Sequence, residues 1–176
     1  MKKRHILIVG ERHVGKSTLI RRLLENTDRP VCGFITKSLP ADEAGFHPIY
    51  IHPAAQAVED RVYTPENLIG TCDTRIHNIN RAAFDTYGVQ YLTDLPKDGI
   101  VIMDELGFME VSSEAFTAKV LEVLDGDIPV LAAVKTRTDI DFLNTVRAHP
   151  NAHVFTATNE NWDELFDTLL PILQSL

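Results

Sequence analysis

The chain has 176 residues, 44% of them hydrophobic and 24% charged, and 25 acids against 17 Lys and Arg give a formal charge of −8. That length is most simply one domain, residues 1–176, with a sizeable core, and the composition is that of a soluble globular protein. The acidic balance excludes a broad nucleic-acid footprint, which needs surplus cations, and no apolar run is long enough to span a membrane.

The first element is a buried strand, Ile6-Leu7-Ile8-Val9, followed by Gly10-Glu11-Arg12-His13-Val14-Gly15-Lys16-Ser17-Thr18. From Ser17 to Leu24 the apolar residues fall at helical spacing. Val31-Cys32-Gly33-Phe34-Ile35-Thr36 reads as a second strand, residues 40–45 as a turn, and residues 46–52 as a third strand, so this pair forms a small antiparallel hairpin. The segment from Gln56 to Tyr63 is ambiguous and offers at most one more short strand. Asn78 to Leu95 reads as mostly helix, with Ile79, Ala82, Ala83, Phe84 and Tyr87 on its apolar side.

Ile100-Val101-Ile102-Met103 is the most strand-like segment of the second half and ends in Asp104-Glu105. Ser112 or Ser113 caps a helix whose buried stripe is Phe116, Val120, Val123 and Leu124. Ile128 to Val134 is another apolar strand, followed by a helix from about Asp139 to Ala148, a strand from His153 to Thr156 and a helix from Trp162. On that last helix Trp162, Leu165, Phe166, Leu169 and Leu170 share a face, and Pro171 is expected to end or kink it. Apolar strands alternating with helices imply an α/β fold, a mostly parallel sheet flanked by helices on both faces. Its ligand belongs at the carboxyl ends of the strands, beyond Val9 and Met103.

Gly10 to Thr18 fills the phosphate-loop pattern G-x-x-x-x-G-K-[ST], with a strand before it and a helix after it, the context that the pattern requires. Gly10 and Gly15 let the loop wrap so that its amides, Gly10 through Thr18, form a nest for phosphate oxygens at the positive end of the helix. Lys16 reaches the β- and γ-phosphates as a point charge, and the Ser17 hydroxyl is a ligand for Mg²⁺. Asp104 stands where a strand-end acid helps to hold Mg²⁺, and Glu105 where a free carboxylate orients or deprotonates the attacking water. Gly107 lets the chain turn close to the γ-phosphate. Three arginines qualify to neutralise the transferred group: Arg137 beyond the Ile128–Val134 strand, Arg12 within the loop, and Arg75. Lys135 and Arg137 are alternatively contacts for base or ribose, with Thr156 to Asn159 as a second wall for the base.

Cys32 and Cys72 have no C-x-x-C spacing, and the seven histidines are scattered, so no transition-metal site is expected. Two lone thiols read as free cysteines of a reducing compartment, the cytoplasm. Met1-Lys2-Lys3-Arg4 has the charge of a signal-peptide start, but the apolar stretch behind it stops at Gly10 and becomes the loop.

Four stretches in order resemble the thermophilic-type, or cancer-related, nucleoside-triphosphatase family of P-loop proteins: the loop, Cys32-Gly33-Phe34-Ile35-Thr36, Asp104-Glu105-Leu106-Gly107-Phe108-Met109-Glu110, and Val154 to Asn161. The resemblance covers nearly the whole chain. It implies a RecA-like sheet with a strand between the loop strand and the Asp-Glu strand. It also implies slow, Mg²⁺-dependent hydrolysis of ATP, GTP and related triphosphates with weak base preference, and phosphate, metal and water-activating roles for Lys16, Ser17, Asp104 and Glu105. This chain departs from the family pattern at Arg12-His13, usually Pro-Gly, and at Phe108, usually Lys. It departs again at Lys37 to Ala41, usually rich in Glu and Arg.

Two other readings share the loop. A small-molecule kinase passes the phosphoryl to a hydroxyl and needs an acceptor pocket with several arginines, and Pro40 to Tyr63 is poor in arginine. A nucleotide-dependent switch acts through an unknown protein partner. Asp104-Glu105-Leu106-Gly107 fits D-x-x-G, but Lys135-Thr136-Arg137-Thr138-Asp139 is not the guanine signature N-K-x-D.

Overall fold

Strands that are apolar at every position must be covered on both faces, and the chain does this with one eight-stranded sheet between two layers of helices. The computed structural model describes residues 3–176; Met1 and Lys2 of the basic start lie outside them. The strands are β1 His5–Val9, β2 Val31–Ser38, β3 His47–Pro53, β4 Leu68–Cys72, β5 Ile76–His77, β6 Ile100–Leu106, β7 Val130–Val134 and β8 Ala152–Thr156. Their order is β5-β4-β3-β2-β6-β7-β1-β8. From β2 to β8 the pairs are parallel; β2–β3, β3–β4 and β4–β5 are antiparallel. As expected of a RecA-like sheet, β7 lies between the loop strand β1 and the Asp-Glu strand β6.

Alternation divides the core. Leu7, Val101, Met103 and Ala132 face α4 (Glu114–Asp125) and α5 (Asp141–Arg147), meeting Phe116, Val120, Leu124, Leu143 and Val146. Ile6, Ile8, Ile102 and Leu131 face α1 (Lys16–Leu24) and α6 (Trp162–Gln174), meeting Leu19, Leu23, Leu165 and Leu169. Between β5 and β6 runs a helical stretch: α2 (Arg81–Ala83), a π turn (Phe84–Gly88) and α3 (Val89–Tyr91). Gly88 lets it lie against Phe116, whose ring would be 2.6 Å from an added Cβ. Ala83 and Phe84 are buried as expected, while Ala82 faces solvent. No helix of the described residues is long and apolar enough to cross a membrane.

The antiparallel wing is larger than a hairpin, because β4 and β5 extend it. The ambiguous 56–63 segment holds no strand; it contains a 3-10 turn at Val58–Asp60 with Val58 and Val62 exposed. Of the two serines before α4, Ser113 is the cap: its Oγ accepts from Phe116 N at 3.0 Å. Pro171 does not end α6, which runs on to Gln174. It sits exposed in the last turn, so the one carbonyl that loses its amide partner can turn to water.

Two sequence features fix the sheet. His5 is fully buried, accepts from Val130 N through Nδ1 (3.2 Å) and therefore donates from Nε2 to Leu124 O (2.8 Å), tying β1 to β7 and α4. Burial holds its imidazole below the usual pKa, against the pull of the Leu124 carbonyl, so it stays neutral. Gly33 has φ +91° opposite Ile102 of β6, and a Cβ there would lie 2.1 Å from the Ile102 carbonyl oxygen. Gly33→Ala is expected to cost about 3 kcal/mol, left-handed strain plus a backbone clash, which lowers the thermal midpoint by about 6–12 °C. A shift below about 2 °C would contradict this packing.

Candidate active site

β1 and β6 stop on the same edge of the sheet, so the loop after Val9 and the acids after Met103 meet there. Gly10 serves packing: a Cβ on it would lie 2.7 Å from Ala157 O in the loop after β8. The left-handed residues of the loop are Gly15 (φ 89°) and, unexpectedly, His13 (φ 65°), at the position where the family pattern has glycine. Glu11, Arg12 and His13 are exposed, and Val14 packs half-buried on the α1–α6 cluster. Trp162 braces the far side, its indole N–H donating to Gly15 O at 3.3 Å while Arg22 lies over its ring.

Lys16 is buried, with its ammonium 2.7 Å from both Gly10 O and Glu11 O and 3.2 Å from Glu105 Oε2. Ser17 donates to Asp104 Oδ1 at 2.9 Å. Thr18 is exposed one residue further along α1. Burial pushes the Asp104 carboxyl up to about 6, the Ser17 hydroxyl opposing and the Glu105 charge adding to the rise.

Glu105 is not the free carboxylate expected. It bridges two ammoniums, Lys16 at 3.2 Å and Lys135 at 3.3 Å. The Asp104–Glu105 peptide is cis, and the register with β7 shifts between Asp104 and Leu106.

Gly107 lies against the Lys135 side chain and donates to Glu110 Oε2 at 2.9 Å. Glu110 is fully enclosed, and burial raises its carboxyl to about 7 against the Glu110 and Gly107 amides and Lys135. It anchors the turn behind Glu105. A second acid five residues after Glu105 on a mostly apolar stretch was the one sequence signal for it.

Arg137 pairs with Asp139 (Nε to Oδ1 3.0 Å) and lies over the Phe108 ring at 5.2 Å, so a cation approaches position 108 without a lysine there. Arg147 supports this segment from behind, donating to Lys135 O (2.6 Å) and Arg137 O (2.7 Å). Arg12, Arg75 and Arg137 line one cleft of about 390 Å³ together with Lys135. Lys135 as a partner of Glu105 and Trp162 as the brace of the loop were not legible in advance, since each pairs across many residues.

Among the described residues no three His, Cys, Asp or Glu side chains group as a self-sufficient metal site. Ser17 and Asp104 instead offer a hydroxyl and a carboxylate side by side. That oxygen pair suits an ion completed by phosphate oxygens and water.

The sequence pattern of a family described as NTPase matches residues 5–170. The nucleoside-triphosphatase THEP1 of Methanocaldococcus jannaschii is 30% identical over 171 residues, with 94% of each chain covered. The cancer-related nucleoside-triphosphatase homolog of Mus musculus is 27% identical, with 98% of this chain and 97% of the relative covered. In three dimensions, the crystal structure of THEP1 from the hyperthermophile Aquifex aeolicus superposes with a TM-score of 0.70 at 24% identity. That alignment covers 97% of this chain and 99% of that one.

Proposed function

This chain belongs to the NTPase family, and from that membership we propose that it hydrolyses nucleoside triphosphates to diphosphate and phosphate with Mg²⁺. The observation that carries the residue roles is the convergence of Lys16, Ser17, Asp104 and Glu105 at the mouth of the loop.

The main-chain amides from Gly10 to Thr18 hold the phosphates, and Lys16 holds the γ end. To do so its ammonium exchanges the Glu105 contact for a phosphate oxygen while keeping the Gly10 and Glu11 carbonyls. That exchange releases Glu105 from one of its two cations. The carboxylate then orients a water in line with the γ-phosphorus and takes its proton. Lys135 remains beside it to offset the charge of the transferred group. Magnesium held at Ser17 and Asp104 supplies charge neutralisation of the phosphates when bound.

The loop after β8 supports a weak base preference. Asn161 accepts from Thr158 N and donates to Thr156 O, both at 2.8 Å, so this wall spends polar groups on itself rather than on a base. The thiols of Cys32 and Cys72 are both unpaired, which fits a reducing cytoplasm.

The test is phosphate release from ATP, GTP, CTP and UTP, each with Mg²⁺ and with chelator. Release from all four with Mg²⁺, within about tenfold of one another, and background release with chelator are expected. Release that survives chelation, or from none of the four, would overturn the reading.

A further inference from the structure

The cleft shared by the three arginines borders the phosphate loop, since Arg12 of that loop lines it. Lys135 joins the cleft to Glu105, since it lines the cleft and its ammonium lies 3.3 Å from that carboxylate. The opposite wall of the loop is closed by Ala157 against Gly10 and by Trp162 against Gly15. A triphosphate gripped by Lys16 therefore presents its γ end to Glu105 and, beyond it, to the cleft. Water needs only about 30 Å³, whereas the cleft offers about 390 Å³, a size suited to a small organic ligand.

Its charge opposes that of the molecule. In a chain of formal charge −8, the cleft gathers Arg12, Arg75, Lys135 and Arg137 against the single carboxylate of Asp73. Asp73 is engaged in its own turn, accepting from Arg75 N at 2.7 Å and contacting His77 at 3.0 Å. The Arg75 guanidinium has no hydrogen bond or ion pair among the described residues, and that of Arg12 meets only Cys72 Sγ, at 3.9 Å. Gathered cations repel one another; Lys135 and Arg137 have carboxylate partners in Glu105 and Asp139, but Arg12 and Arg75 have none among the described residues, and that pair beside the other two makes a receptor for an anion.

We propose that this cleft is an acceptor subsite for a small phosphate-bearing alcohol, to which the protein passes the γ-phosphoryl group. The acceptor's phosphate lies among Arg12, Arg75 and Arg137, and its hydroxyl meets Glu105 where water would otherwise stand. The hydroxyl oxygen forms a bond to the γ-phosphorus, and the bond from that phosphorus to the β–γ bridging oxygen breaks. The electron pair leaves with the nucleoside diphosphate, and the hydroxyl proton passes to Glu105. The inference rests on the hydrolytic reading, with the alcohol replacing water.

The experiment follows label from γ-labelled ATP and Mg²⁺ in the presence of ribose 5-phosphate or glycerol 3-phosphate, and of plain ribose or glycerol. Label is expected in a phosphate-bearing acceptor and not in the plain alcohols. Arg75→Ala is expected to cut that transfer by about tenfold or more relative to acceptor-free phosphate release by the same variant, and Arg75→Lys to retain most of it. Label found only in inorganic phosphate with every acceptor would overturn the proposal, as would transfer indifferent to Arg75→Ala. In either case intact acceptor-free release would leave the hydrolytic reading standing, and its loss would remove both.

Discussion

Lys16→Ala is expected to abolish triphosphate binding at working concentrations, with affinity falling about 10³-fold. A buried ammonium facing a phosphate oxygen at about 4 Å is worth roughly 4 kcal/mol at the effective dielectric of such a site. No other cation in the loop replaces it, because Arg12 points away toward Cys72. The fold survives the change, since Glu105 keeps Lys135, though the Gly10 and Glu11 carbonyls lose a donor. Titration with a fluorescent triphosphate reads the effect directly. Affinity within about threefold of wild type would remove Lys16 from the phosphate site.

Glu105→Gln separates binding from chemistry. The amide has nearly the shape of the carboxylate but neither its charge nor its basicity, so phosphate release is expected to fall by about 10²–10⁴-fold. Nucleotide binding is expected to persist or tighten, because an uncharged side chain competes less with phosphate for Lys16. Single-turnover release and an equilibrium titration on the same variant give the two quantities independently. Release at the wild-type rate would show that this residue neither orients nor deprotonates the nucleophile.

The part of this architecture legible in the sequence is the part fixed by local rules. Ile6–Val9, Ile100–Met103 and the run before Val134 are apolar without interruption, which restricts them to covered parallel strands. The loop's spacing names its ligand because the backbone itself is the binding group. The antiparallel wing was only half legible. Leu68–Cys72 is short and contains Gly70, and it becomes a strand only because β3 offers its edge. Val62 and Tyr63, strand formers by composition, stay exposed beside a 3-10 turn instead.

The same division runs through the site. Lys16, Ser17 and Asp104 follow from motif and strand end; Ser17 bonds Asp104, and Lys16 pairs with Glu105 beside them. The surroundings of Glu105 do not follow, since Lys135 is brought to it by sheet register across β6 and β7. Arg12, Arg75 and Arg137 carry no mark in the chain that sets them together. Only the meeting of the loop, the β4–β5 turn and the segment after β7 does so.

Hydrolysis by this chain depends above all on phosphate being gripped by the loop amides and Lys16, with metal at Ser17 and Asp104. A crystal structure with a non-hydrolysable triphosphate analogue and Mg²⁺ measures this without relying on turnover. The phosphates are expected on the amides of Gly10 to Thr18, with Lys16 Nζ within hydrogen-bonding distance of the γ end and the ion beside the Ser17 hydroxyl. Phosphate density seated away from this loop, or a Lys16 ammonium still paired with Glu105 beneath a bound nucleotide, would contradict it.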